Sequence, residues 1–208
     1  MDKIVLSYHD SLLRESDLRL LDTGQWLNDK IIGFMFQYFQ YEVFSKNFEE
    51  ISFLDPDLVH LVKMMPDREI PSILESLNLE PKRFIFLPIN DNDDAQAGGS
   101  HWSLLIFDAE QECFEHFDSS GDYNHTVAVE VAGKFSKVLK SNKLARMETP
   151  QQCNGSDCGV YVVKLTEVIC KSKLDASSPW QPSLITNDFI ANERENIRRI
   201  ILTKAGKL

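Results

Sequence analysis

Gln152-Cys153-Asn154-Gly155-Ser156-Asp157-Cys158-Gly159-Val160-Tyr161-Val162-Val163 is a polar run that turns apolar at Cys158. Residues 158–170 read two ways. Val160, Val162 and Val163 favour a strand by propensity, whereas the length of the segment favours a buried helix. In the helical reading Cys158 occupies the positive end, where negative charge on sulfur is favoured. Gly159 then allows close approach of a neighbouring backbone. A cysteine on its own is more often a small buried hydrophobe, and the polar run and the glycine weigh against that.

Two upstream stretches give Cys158 chemical company. Gly98-Gly99-Ser100-His101-Trp102 supplies an imidazole and Phe117-Asp118 a carboxylate, while Gln152 offers an amide. Thiol, imidazole, carboxylate and amide are the set a cysteine protease needs, here in the chain order His, Asp, Gln, Cys. The imidazole takes the thiol proton and the carboxylate holds the ring in its useful tautomer. The amide donates to the oxyanion formed on the attacked carbonyl. Rivals exist on this reading: His116 shares a strand face with Asp118, and Asp108 also ends an apolar strand. The sequence leaves both assignments open. Cys153 and Cys158 form a Cys-x4-Cys pair without a second close Cys/His pair, a weak zinc signal, so neither metal nor other cofactor is expected. Cys113 and Cys170 read as strand and core residues.

The chain has 208 residues, 43% of them hydrophobic, with thirteen Phe and three Trp. That suits one domain over 1–208 with a sizeable core. The net charge of −10 argues against nucleic acid and anionic membranes as partners. No apolar run approaches the roughly twenty residues of a membrane span. The start, Met1-Asp2-Lys3-Ile4-Val5-Leu6-Ser7-Tyr8, lacks an apolar signal region. A cytosolic or nuclear setting with four free thiols is expected.

Residues 4–8 read as a short strand or an extended arm, 16–21 suit a short helix capped by Ser16, and a helix follows Asn28 carrying Ile31, Ile32, Met35, Phe36 and Phe39. Asp55-Pro56 opens another helix, with Leu58, Leu61, Val62 and Met65 inward and Pro66 and Pro71 breaking the pattern. Residues 83–89, 102–107 and 112–117 read as three strands of one antiparallel sheet, the first two nearly all apolar as if covered on both faces. The polar loop 90–100 between them reads either as a lid or as an ordinary hairpin connection. Residues 125–139 read as an amphipathic helix with Val129, Ala132, Phe135 and Leu139 inward. Residues 144–147 suit a short strand, and Thr186-Asn187-Asp188 caps a last helix. Helices around a central group of strands give an α+β class. Trp26 and Trp102 are either core residues or the walls of an apolar slot that only a thin peptide such as glycine could thread.

As a set, Gly-Gly-Ser-His-Trp-Ser-Leu-Leu, Phe-Asp-Ser, Gln-x-Asn-Gly-Ser-Asp-Cys-Gly and Trp26-Leu27-Asn28-Asp29 resemble the ubiquitin-like-protein proteases of the sentrin-specific class, over almost the whole chain. Within that class, Val-Leu-Ser-Tyr-x-Asp-Ser-Leu-Leu-Arg and Ile-Asn-Asp-Asn followed by Ala-Gly-Gly are similar to its small deneddylases; Asn154-Gly155-Ser156 is also common in the desumoylating members, so a SUMO-specific protease is the alternative. The resemblance implies a papain-like fold of the Ulp type with a mostly antiparallel central sheet. It implies Cys158 as nucleophile, His101 as base and acid, Asp118 as its orienter and Gln152 as oxyanion donor. Trp26 and Trp102 would clasp a Gly-Gly tail, and Asp29 and the Asn90 to Gly99 loop would contact the modifier body or close over the tail. The implied partners are the neddylation modifier and its conjugates such as cullins, met by a monomer.

Overall fold

In the computed structural model the described residues are 2–96, 98–175 and 177–208. Met1 of the N-terminal stretch and Ala97 of the lid-candidate loop lie outside them. The β-branched and aromatic run Ile4–Tyr8 forms β1, paired antiparallel with β2 (Ser11–Arg14). Helix α1 (Glu15–Arg19) starts before Ser16, correcting the expected cap. The Asp17 carboxylate reaches back to accept the Arg14 N–H at 2.7 Å, while the Ser16 hydroxyl donates to Asp2. Helix α2 (Asp29–Tyr38) begins as expected, with Asn28 Oδ1 accepting from Ile31 N at 3.1 Å. It buries Ile31, Ile32, Met35 and Phe36 and runs into a π-helical turn, Phe39–Val43.

Strand β3 (Ile51–Phe53) precedes α3 (Pro56–Met64), whose cap Asp55 accepts from Asp57 N. Leu61 departs from the expected inward position. It is 50% exposed, because α3 packs one side on the sheet and turns the other to a cleft. Pro71 does not end a helix but sits in the first turn of α4 (Ile70–Ser76), where its missing N–H costs nothing. Next come β4 (Phe84–Asn90), β5 (Trp102–Asp108), β6 (Cys113–Phe117), α5 (His125–Leu139), β7 (Leu144–Arg146), α6 (Cys158–Leu174) and α7 (Asn187–Lys204). On α5, Val129 is exposed and Ala128, Val131, Ala132, Phe135 and Val138 form the buried face.

One five-stranded sheet has the order β3-β4-β5-β6-β7. Its centre is antiparallel, as the three apolar runs predict. Both edges join in parallel, because the connections β3-to-β4 and β6-to-β7 are helical crossovers rather than hairpins. Alternate side chains of the central strands enter two cores. Phe84, Phe86, Leu104 and Ile106 pack with α2, α6 and α7; Ile85, Leu87, Leu105 and Phe107 pack with α3, α4 and α5. Residues 158–170 are helical, with both sides of the helix buried. Burial on every side outweighs the small β preference of its valines.

Candidate active site

Antiparallel register builds the site. Asn90 lies opposite Trp102 and Leu104 opposite Phe117, so the end of β4, the start of β5 and the end of β6 share one edge of the sheet. His101, just before β5, and Asp118, just after β6, therefore meet: His101 Nε2 lies 2.6 Å from Asp118 Oδ1. Both are buried. The other side-chain partner of the imidazole is Cys158, at the first position of α6 and 2% exposed. With Nε2 on the carboxylate, Nδ1 is the ring nitrogen left for the thiol.

Electrostatics separates this histidine from its rival. Burial pulls the His101 pKa down, but hydrogen bonds and charge from Asp118 and Cys158 outweigh it and push it up to about 9. Burial raises the Asp118 carboxyl, yet the His101 bond and N–H groups of Asn124 and Ser120, both at 2.9 Å, carry it below its ordinary value. His116 instead bonds the Ser103 hydroxyl at 3.0 Å, and burial takes it down to about 4. Asp108 is occupied by Lys173 Nζ at 2.8 Å. The imidazole that meets both carboxylate and thiol is His101.

The backbone around His101 is held from outside the motif. Asp91 Oδ1 accepts the N–H groups of Ser100 at 2.6 Å and His101 at 3.0 Å. Asn124 donates to the His101 carbonyl at 3.2 Å. Gly99 has φ +87°, and a Cβ there would lie 1.8 Å from Asn90 Oδ1, so only glycine fits the turn into the histidine. On the nucleophile side, Asn154 Oδ1 accepts from Ser156 N at 2.9 Å and Asp157 N at 3.0 Å. A Cβ on Gly159 would stand 2.9 Å from Leu27 Cβ, so its absence lets α6 seat against the residue after Trp26.

Gln152 is tied to Ser119, which follows Asp118. Its N–H donates to the Ser119 carbonyl and its Oε1 accepts from the Ser119 hydroxyl, both at 2.8 Å. Its Nε2 donates to Asn154 O at 2.7 Å; an amide nitrogen carries a second hydrogen for another acceptor. Trp26, Asp29, Asn90 and Trp102 all line one cleft of about 740 Å³, together with His101 and Cys158. Trp26 is 50% exposed and donates Nε1–H to Gly155 O at 2.7 Å. Trp102 is half-buried against the core and donates to Leu27 O at 3.1 Å. The two indoles thus combine both sequence readings, one a free wall and the other a core-anchored wall.

Leu61 and Met64 of α3 supply apolar lining, and Asp29 and Asp57 supply acid. Burial and the neighbouring Asp29 push Asp57 up to about 6. Over the cleft, the start of the 90–100 loop is fastened to α3. Lys63 Nζ donates to the carbonyls of Asn90 and Asn92 and to Asp93, and His60 Nε2 bonds Asp94 O at 2.8 Å.

Asp91, Asn124 and Asn154 escaped the sequence reading. Asn154 had a signal, since Asn-Gly-Ser-Asp is turn chemistry; Asp91 had none, as one of six acids and amides in the polar 90–100 loop. Among the described residues no group of three or more His, Cys, Asp or Glu is arranged to hold a metal, and no helix is long and apolar enough to cross a membrane. The four cysteines are free, and burial pushes the Cys170 thiol up.

Residues 25–199 match the Ulp1 protease family, C-terminal catalytic domain. Sentrin-specific protease 8 of Homo sapiens is 42% identical over the full length of both chains. NEDD8-specific protease 1 of Arabidopsis thaliana is 35% identical over 82% of this chain and 76% of its own. The Ulp1 protease domain solved in complex with Smt3, the yeast ortholog of SUMO, superposes with a TM-score of 0.76 over 99% of this chain and 89% of that one, at 22% identity. That likeness concerns the fold, the papain-like arrangement of the Ulp proteases.

Proposed function

The chain belongs to the Ulp1 protease family and is a thiol-dependent protease, and from that footing we propose that it cleaves after the C-terminal Gly-Gly of the neddylation modifier, NEDD8. One observation carries the catalytic part: an imidazole bridging a buried carboxylate and a thiol at a helix N-terminus, at the end of an indole-walled cleft. The choice of modifier is supported by end-to-end identity of 42% with sentrin-specific protease 8.

In this reading Cys158 reacts as thiolate, stabilised by the α6 N-terminus and the His101 imidazolium. It attacks the carbonyl carbon of the terminal glycine, and a C–S bond forms as the carbonyl oxygen takes negative charge. The second Nε2 hydrogen of Gln152 and backbone N–H groups at the start of α6 receive that oxyanion. His101 passes its proton to the leaving amine, a lysine side chain of a conjugate or the first amine of a precursor tail, and the C–N bond breaks. Neutral His101 then takes a proton from water, whose oxygen attacks the thioester and restores the thiolate. Asp118 fixes the ring and balances its charge throughout. Trp26 and Trp102 admit the side-chain-free Gly-Gly segment, while Asp29 and Asn90 meet the modifier ahead of it. Cullin conjugates as substrates, action as a monomer, and residence in cytoplasm or nucleus belong to the same proposal; the free thiols fit a reducing compartment.

Modifiers carrying a C-terminal electrophile test it. The NEDD8 probe should form an adduct at Cys158, and the ubiquitin and SUMO probes should not. An adduct with SUMO alone overturns the modifier, and folded protein that reacts with none overturns the nucleophile.

A further inference from the structure

Arg194, on α7, is far from the chemistry in sequence and only 6% exposed. Its guanidinium joins two distant stretches of chain. To the nucleophile turn, Nε and Nη2 donate to Asp157 Oδ1 at 3.0 and 2.6 Å, and Nη2 donates to Ser156 O at 3.0 Å. To the stretch leading into Trp26, Nη1 donates to Leu20 O at 2.9 Å and Asp22 O at 3.4 Å, and Nη2 to Gln25 O at 2.7 Å. A planar fork with five N–H donors serves such a spread of acceptors; a lysine ammonium does not. The indole of Trp26 closes the loop by donating to Gly155 O at 2.7 Å.

The position of Asp157 gives the cation a second effect. Its carboxylate directly precedes Cys158 at the start of α6, where an uncompensated negative charge opposes a thiolate. Asn154 Nδ2 binds Oδ2 at 2.8 Å, and among the described residues Arg194 is the cation paired with it. The charged groups facing this turn from the surrounding elements include Arg194 from α7, His101 ahead of β5 with Asp118 behind it, Asp29 and Asp57 across the cleft, and Asp22, which Arg198 pairs at 2.7 Å. Tyr161 and Cys153 flank Asp157.

We propose that Arg194 is a positioning residue for the reaction: it neutralises Asp157 beside the nucleophile and locks the Trp26 wall to the nucleophile turn. The inference rests on Cys158 being the nucleophile. Its two parts separate experimentally. Alkylation of Cys158 by iodoacetamide, followed across pH by mass mapping of the Cys158 peptide, reads the charge effect. Turnover of NEDD8 with a C-terminal aminocoumarin reads the wall. Arg194→Met should move the alkylation midpoint upward by on the order of half a pH unit, and adding Asp157→Asn should return it to the parental value. Arg194→Lys keeps the charge and loses the fork; it should keep the midpoint and raise KM several-fold with little change in kcat. A folded Arg194→Met with the parental midpoint overturns the charge part, as does a double variant as displaced as the single. If Arg194→Met does not fold, Arg194→Lys decides both parts: a midpoint displaced from the parental value overturns the charge part, and parental KM overturns the wall part. Cys158→Ser is the separate control: if it still turns over, the nucleophile assignment fails whatever Arg194 does.

Discussion

His101 and His116 are both buried, sit on or just ahead of adjacent strands and lie near the same carboxylate, yet at neutral pH one is charged and the other neutral. At the edge of the sheet His101 touches Asp118 and Cys158 and stays protonated to about pH 9. Inside the sheet His116 touches a serine hydroxyl and stays neutral down to about pH 4. Burial pushes both the same way. The difference is the partner: a hydroxyl repays none of the cost of charging a buried ring, whereas the Asp118 carboxylate together with the Cys158 sulfur exceeds it.

The sharpest way to break the contrast is Asp118→Asn. The amide keeps the shape, removes the charge and allows the wrong tautomer, and the rate should fall by about 10⁴. NMR titration of the His101 ring should show its pKa falling towards that of His116; a ring still near 9 would mean Asp118 is not the controlling partner. Next in size is Gln152→Ala, which leaves both histidines alone and removes an oxyanion donor. It should cost ~100–1000-fold in kcat, with the alkylation profile of Cys158 unmoved. Trp102→Ala should lower kcat/KM by at least about tenfold through lost placement of the tail. Thermal unfolding measures the other possibility: a stability loss outweighing the kinetic one would make that indole mainly core.

The smallest effect on rate belongs to His116→Asn, which should leave turnover within about threefold and alter the acid limb of stability instead. The folded-state pKa of His116 is depressed. Its contribution is present above the ordinary value of 6.5 and is lost as pH falls from there towards about 4, up to on the order of 3 kcal/mol. Denaturant titrations at pH 7 and pH 4.5 should therefore differ less in the variant than in the parent. For His101 the sign is reversed: its raised pKa contributes stability below 6.5 that fades as pH rises through about 9. His101→Gln should flatten the alkaline limb rather than the acid one.

Much of the fold is legible in the sequence. The continuous apolar runs 83–89 and 102–107 and the helical period of 125–139 marked their type, because a strand covered on both faces and a one-sided helix leave different apolar patterns. Caps at Asn28 and Thr186 and the helix start at Asp55-Pro56 were readable because a helix start is marked within two or three residues. Where the neighbours are remote the reading failed. Leu61 keeps a core-like spacing but faces the cleft, Val129 faces solvent, and the edge strands β3 and β7 owe their parallel pairing to helical crossovers.

The chain by itself therefore determined which reactive groups this protein owns and the kinds of elements that carry them, since residue type and periodicity are local properties. Only the tertiary structure decided which imidazole is charged, which indole stands free, and that a guanidinium from the last helix anchors the turn before Cys158. Charge state and exposure are set by whatever lies within a few ångströms, and for His101, Trp26 and Asp157 those neighbours are 17, 129 and 37 residues away along the chain.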